Sequence, residues 1–400
     1  MLTGRGRFVL GLGFGVYLAA WAFGSKPLYP VATGLLLVVA AAWVWIRLAD
    51  RPLHVRRGWG DREHVEGDDV PVVVDLEATG RVPPATVALI EQVGRLGEQR
   101  HLLRRRGRRL RVRYVLERLP RGRYVFEDVR AELADPFGLE RAIVRLPAPG
   151  ALLVYPRLVR LDRIFSESGA HSPDGRRLLL RRQSGFELHR VREYEEGESL
   201  RHVHWRSTAR RGRLMVKELE DSPRDEIAVL LDADASSVVG ESFDVQVRAA
   251  GSILDAYVQR GRRAVLVVNS AQRDVQHVHS TAADWRRALE LLAAAEPTGR
   301  TPAVRLLAEE EGPAARALEL AVVTARLDHA LVDRLVQRAL SRRKVSLVYV
   351  DPASFNGRLR RAEPELLRLQ AAGIRLAIVR AGDDLVRCLE GEPVQAAVRV

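Results

Sequence analysis

The spacing of apolar and polar residues changes style three times along the chain. It opens with two nearly continuous apolar runs, FVLGLGFGVYLAAWAF (8–23) and LYPVATGLLLVVAAAWVWIRL (28–48). The second is about 30 Å long as a helix, which matches a bilayer core. From about residue 52 to 155 the pattern shortens to alternating runs: VPVVVDLEA, ATVALIEQV, LRVRYVLERL, GRYVFEDVRAELA, ERAIVRL and ALLVY. Turn signals such as Gly80, Pro83-Pro84, Gly107 and Asp135-Pro136 separate them, so each run reads as a strand of a small β-sandwich. Residues 156–224 are irregular and highly charged. From 225 to 400 buried-strand runs (EIAVLL, RAVLVVN, ALELAVVTA, VSLVYV, GIRLAIVR) alternate with amphipathic helical stretches. That alternation predicts a doubly wound α/β domain with a parallel sheet covered on both faces. The expected fold class is thus a membrane-anchored α/β protein. A transmembrane helical hairpin (1–51) leads into a β-sandwich-like domain (52–155), a linker region (156–224) and an α/β domain (225–400).

Charge orients the hairpin. Arg5 and Arg7 precede the first span, and Arg47, Arg51, Arg56 and Arg57 follow the second, whereas the connection carries only Lys26. The bias of cytoplasmic loops toward Lys and Arg places both ends of the hairpin, and everything after it, in the cytoplasm. A cleaved signal peptide ending near Ala20-Trp21-Ala22 also fits the first run. A second span beginning a few residues later favours the uncleaved hairpin, hence a cell-membrane protein with two spans.

A length of 400 residues exceeds what one core usually holds, and 47% hydrophobic residues are ample for folding. The net charge of +13 comes almost wholly from arginine, the only lysines being Lys26, Lys217 and Lys344. That arginine bias follows the alanine, valine, leucine and glycine richness, so charge alone does not imply nucleic acid. Cys388 is the only cysteine, which excludes a disulfide framework and a cysteine-based zinc site. The basic run 102–113 reads as a hairpin around Gly107 that is solvated and protects a sheet edge.

Two places carry candidate chemistry. DADASS (232–237) lies at the carboxyl end of the first α/β strand, where open sheets bind ligands. Asp232, Asp234 and Ser236 offer hard oxygens at alternate positions, which suit Mg2+ or Ca2+. The run resembles the DxSxS adhesion motif of von Willebrand factor A domains, with Asp234 where that motif has serine. The resemblance implies a further threonine, for which Thr281 is a candidate, and a carboxylate at a later strand end. There the chain reads Val323-Thr324-Ala325. A polar loop capping the next helix is the competing reading.

The second place is REYEEGESLRHVHWRSTARRGRLMVKELE, from Arg192. His202 and His204, with His189 and Glu193, Glu195 and Glu196 nearby, allow a metal-dependent hydrolase as an alternative, but the neighbouring arginines oppose a bound cation. Arg201, Arg206, Arg210, Arg211 and Arg213 with Trp205 allow a membrane-tethered nucleic-acid binder. Flanking carboxylates from Glu193 to Asp221 oppose that. The favoured reading is a structural junction of internal Arg–carboxylate pairs, anchored by Trp205, Leu214 and Val216, with no nucleic acid expected. No catalytic set emerges, so the chain is not expected to be an enzyme.

This long segment resembles the signature of the bacterial domain of unknown function 58 (DUF58) family. Arg192, Glu193, Tyr194, Gly197, Arg201, Trp205, Ala209, Arg210, Gly212, Leu214, Val216 and Glu218 fall on its positions. Glu198 stands in place of aspartate and Val203 in place of isoleucine. RGRYVFEDVRAELADPFGLERA and LVYPRL look like two further family segments. The resemblance implies a von Willebrand A-like domain on a membrane anchor. It also implies an adaptor or chaperone-type protein-interaction role beside a MoxR-type AAA+ ATPase and other membrane proteins.

Overall fold

A computed structural model describes residues 1–49, 53–60, 62–78, 86–106, 109–147, 150–165, 188–193, 205–219, 226–279, 281–309, 312–357 and 364–391. The chain divides into two compact units, Met1–Tyr155 and Pro156–Val400.

The first unit opens with α1 (Gly4–Phe23) and α2 (Leu28–Ala49), both long and apolar enough to cross a membrane. α1 begins four residues before the apolar run because the Thr3 hydroxyl accepts from Gly6 N at 3.0 Å, an N-cap that satisfies one of the orphan amides of the first turn. The helices lie antiparallel. Tyr17 meets Tyr29 edge-on with ring centroids 5.5 Å apart. At Gly13 a methyl group would stand 3.1–3.3 Å from Leu35 and Leu36 atoms, so a hydrogen there permits the close approach. Phe8, Phe14, Trp21 and Leu37 point outward.

After the helices come β1 (Leu53–Gly58), β2 (His64–Val65), β3 (Val70–Ala78), β4 (Thr86–Val93), β5 (Gly97–Leu102), β6 (Arg104–Arg106), β7 (Arg109–Leu116), β8 (Gly122–Ala134), β9 (Arg141–Arg145) and β10 (Gly150–Tyr155). They form two sheets, β1-β3-β7-β6 and β2-β10-β8-β4-β5, with β9 also on β8. The sheets share one core, to which β3 gives Val70, Val72, Val74 and Leu76 at every second residue. Ile46 of α2 is part of that same core. The basic hairpin forms as expected at a sheet edge, and its arginines answer acids across the register. Arg111 meets Asp75 at 2.5 Å and Arg109 meets Glu77 at 3.1 Å.

One polar cluster crosses this apolar interior. Glu91 of β4 is fully buried and pairs with the Arg57 guanidinium of β1. Its other oxygen accepts from the Tyr114 hydroxyl of β7 at 2.7 Å. Arg57 lies 4.2 Å above the Phe126 ring, on whose ring Trp59 also stacks, and His101 stacks on Tyr114. Burial, with Glu91 beside it, pushes the Tyr114 phenol above its usual value. A member from each sheet holds each bond, so the cluster fixes how the two sheets face each other.

The second unit contains β11 (Leu188–Glu193), α3 (Trp205–Arg211) and β12 (Met215–Leu219), with β11 and β12 paired antiparallel. Then follow β13 (Ile227–Leu231), α4 (Ser242–Gln259), β14 (Ala264–Val268), β15 (Asp274–Val278), α5 (Ala282–Ala294), α6 (Ala303–Ala308), α7 (Pro313–Arg316) and β16 (Glu319–Thr324). They continue into α8 (His329–Leu340), β17 (Lys344–Val350), α9 (Pro364–Ala371), β18 (Arg375–Val379) and α10 (Leu385–Glu390). The sheet order is β15-β14-β13-β16-β17-β18, and every neighbour pair is parallel except β14–β15. Ile227, Val229 and Leu231 of β13 face α4, α5 and α10; Ala228 and Leu230 face α6, α7, α8 and α9. Both faces of the central strands are therefore buried, which explains their unbroken apolar runs. β15 was not foreseen. As an edge strand it buries only part of its DVQHV run, and its polar alternation resembles a loop.

Replacing Glu91 by alanine removes the buried ion pair with Arg57 and the acceptor of the Tyr114 hydroxyl, and is expected to cost about 3–5 kcal/mol in urea unfolding. Glu91→Gln keeps the shape and an acceptor for Tyr114, and should cost distinctly less.

Candidate functional site at the ends of the central strands

Three neighbouring strands bring the site together. β13 leads directly into Asp232, which is 3% exposed. One of its carboxylate oxygens accepts from Asn269 Nδ2 at 2.9 Å, just after β14; the other accepts from the Thr324 hydroxyl at 2.8 Å, the last residue of β16. Asn269 Nδ2 also donates to Thr301 O at 2.8 Å. The loop carrying Thr301 passes close because residue 299 is glycine: a Cβ there would stand 2.3 Å from Asn269 O.

Asp234, two residues on, faces outward from the same loop. Its Oδ1 accepts from Ser236 N at 2.9 Å and Ser236 Oγ at 2.8 Å. Its Oδ2 accepts from Arg326 Nη1 at 2.8 Å, and the same nitrogen lies 3.0 Å from Ser236 Oγ. Arg326 is two residues beyond Thr324, whose hydroxyl accepts from Arg326 N at 2.9 Å. The constellation is Asp232, Asp234, Ser236, Asn269, Thr324 and Arg326.

The two carboxylates are tuned in opposite directions. Burial raises Asp232 above the ordinary value, and the Asn269 and Thr324 hydrogen bonds offset only part of this. Burial also acts against ionisation of Asp234, but the Ser236 amide and hydroxyl and the Arg326 guanidinium outweigh it and hold that carboxyl below 3.8. Arg326 is raised in turn, chiefly by its bond to Asp234.

The sequence brought Asp232, Asp234 and Ser236 forward as oxygens for Mg2+ or Ca2+, and the structure does place them together. As arranged, the set does not fit a divalent ion. Arg326 stands on Asp234 Oδ2 and Ser236 Oγ, the atoms such an ion would need, and brings charge of the same sign. Thr281 is not the partner hydroxyl; it caps α5 by accepting from Asp284 N at 3.1 Å, and Thr324 supplies the hydroxyl instead. Among the described residues, no group of three or more His, Cys, Asp or Glu converges in a way that could hold a metal. Sequence reasoning missed Asn269 and Arg326. The available signal was positional, since both follow strands adjacent to β13.

The signature segment is only partly described. Arg192 and Glu193 end β11; Trp205, Ala209 and Arg210 lie in α3; Val216 and Glu218 lie in β12, opposite Arg192 and Arg190 in register. Gly212 adopts φ +64, the left-handed turn that ends α3. Thr208 Oγ1 then accepts from Met215 N at 3.0 Å, tying the helix to β12. Tyr194, Gly197, Arg201, His202 and His204 lie outside the described residues. The expectation that Trp205 and Leu214 are buried anchors is corrected: Trp205 is 68% exposed, Leu214 is exposed, and Met215 is the buried residue. A helix of two turns with arginines at four of its ends and flanks has too little apolar surface to bury that ring. Arg206, Arg210 and Arg211 are exposed with it.

Two outcomes follow from this geometry. Arg326→Ala frees Asp234 and Ser236, so Mn2+ should raise the melting temperature of that variant and leave the parent unchanged in a thermal shift assay. Asp234 has a lowered folded pKa, so its stabilising contribution is complete above the ordinary value of 3.8 and is lost as pH falls through the lower folded value. The stability gap between the parent and Asp234→Asn should therefore be widest near neutral pH and narrow as pH falls below 3.8 in urea titrations.

Residues 190–362 match the family described as "Protein of unknown function DUF58". The chain is also similar to the uncharacterized protein YeaD of Bacillus subtilis (strain 168), 27% identical over 283 residues that cover 69% of this chain and 67% of YeaD. The matched segment holds most of β11, all of α3 and β12, and every member of the strand-end constellation, and over that segment the chain is similar to the DUF58 family.

Proposed function

We propose that this chain is a membrane-anchored adaptor, with α1 and α2 as its two spans and the domains that follow them on the cytoplasmic side. In this reading the α/β unit is a doubly wound, von Willebrand A-like module that engages a MoxR-type AAA+ ATPase and catalyses no reaction itself. Helices on both faces of a largely parallel sheet support the von Willebrand A-like assignment. The Lys and Arg bias around the spans supports the orientation.

The observation that carries the reading is the Asp234–Arg326 pair. At the sheet end where ligands usually bind, the chain neutralises its own carboxylate with its own arginine. Arg326 remains 48% exposed, with Asp328 Oδ2 at 4.0 Å from its Nε. A half-exposed guanidinium on a largely buried carboxylate can exchange partners across an interface and set its specificity.

A second reading, a membrane-tethered nucleic-acid binder, gains from the exposed Trp205 beside Arg206, Arg210 and Arg211. An aromatic face among guanidinium groups suits base stacking and phosphate contact. It predicts binding to single-stranded nucleic acid that falls steeply with salt.

Affinity capture of the detergent-solubilised protein with ATP and Mg2+ should recover an AAA+ ATPase, and Asp234→Ala should reduce the yield severalfold without lowering the amount of folded bait. Recovery of no ATPase counts against the adaptor reading. Salt-sensitive nucleic-acid binding, abolished by Trp205→Ala, would favour the second.

A further inference from the structure

The DPFGL stretch, residues 135–139, forms a tightly bonded turn. The turn between β8 and β9 is organised by Asp135, which is 2% exposed. Its carboxylate accepts from Phe137 N at 2.8 Å and Glu140 N at 2.6 Å, and Gly138 takes φ +66. The turn grips the start of α1. Thr3 N donates to Leu139 O at 2.9 Å, the Thr3 hydroxyl donates to Gly138 O at 2.8 Å, and Leu2 bridges Glu140. At Gly6 the approach is so close that a Cβ would stand 2.1 Å from Leu139 O.

Leu139 then enters the groove between the helices, packing with Val39 and Ala42 of α2 and Val9 of α1. These contacts fix the level of the turn along the hairpin. On α1 it lies at Gly6, between the exposed Arg5 and Arg7 and two residues before the exposed Phe8. On α2 it lies beside Trp43 and Trp45, where Arg47 sits 5.0 Å from the Trp43 ring centre. Arginine giving way to apolar surface on one helix, and a tryptophan pair on the other, both mark the headgroup boundary. Phe137, 64% exposed, projects from the turn at this level.

We infer that the DPFGL turn is a membrane-seated foot of the first unit, with the Phe137 ring inserted at the lipid headgroup–acyl boundary. The occupant of this surface is the bilayer itself: the turn that carries the exposed ring is held against α1 at Thr3 and Gly6, where the exposed Arg5 and Arg7 suit phosphate headgroups and the exposed Phe8 begins the apolar surface. The inference rests on reading α1 and α2 as spans, so its test carries a control for that reading.

Cys388 is the only cysteine and is buried. In a Cys388→Ser background, nitroxide labels are placed at Phe137→Cys, at Leu37→Cys in the middle of α2, and at Val115→Cys. Val115 pairs with Pro71, at the far end of the β1-β3-β7 ladder from the Leu53–Ala78 pair that follows α2. The full chain is reconstituted in nanodiscs of phosphatidylethanolamine and phosphatidylglycerol, and collision rates with oxygen and with a water-soluble nickel chelate are compared. The expected result is an oxygen-to-nickel ratio highest at 37, lowest at 115, and at 137 severalfold above 115. A ratio at 137 equal to that at 115, with 37 still shielded from nickel, overturns the foot and leaves the spans standing. Nickel access at 37 overturns the spanning reading, and the foot with it.

Discussion

A carboxylate withdrawn from water must find its partners inside the chain, and this requirement organises both units. Glu91 meets it with Arg57 and Tyr114 and thereby holds two sheets in one facing arrangement. Asp135 meets it with two amides of its own turn. Asp232 meets it with a side-chain amide and a hydroxyl from the strands on either side. For Glu91 and Asp232 the penalty for an unpaired buried charge, several kcal/mol in real proteins, is offset only if distant parts of the sequence arrive in register, whereas Asp135 needs only its own turn to close. The buried acids therefore select the arrangement more than they add to its stability.

The Asp232 arrangement has a further effect on the exposed layer above it. With Asp232 enclosed by neutral donors, Asp234 is the carboxylate that takes a charged partner, and the half-exposed Arg326 reaches it because Thr324 accepts from the Arg326 amide and fixes that turn. The inner acid is pushed toward its neutral form by burial while the outer one is held ionised. One short loop thus separates a carboxylate held by neutral donors from one held by a guanidinium.

Much of this was legible in sequence because it depends on local pattern. The two apolar helices, the alternating β3 and β8, and the all-buried β13, β14, β16 and β17 each show their period or its absence directly. The DUF58 resemblance was legible too, through the spacing of residues around Trp205. The rest depends on which strands become neighbours. Arg326 lies far from Asp234 in sequence, and only the placement of β16 beside β13 joins them. β15 escaped notice because an edge strand need bury only one side. Trp205 misled for a related reason: an indole ring in a charged stretch suggests an anchor, but its short helix presents no apolar face to hold it. Where apolar periodicity carries the information, single-chain reading succeeds; where a lone polar contact across the sheet carries it, reading waits on topology.

The attachment of the first unit to its helices has a mechanical side. Ile46, near the end of α2, sits in the β core, while Leu139 reaches from the β8–β9 turn into the groove between α1 and α2. A body joined to a rod at one point can swivel about it, but one joined at two separated points cannot. Any tilt or rotation of the helical pair is therefore handed to the β sheets without slack, so the unit behaves as a rigid handle on the hairpin and not as a weight on a string.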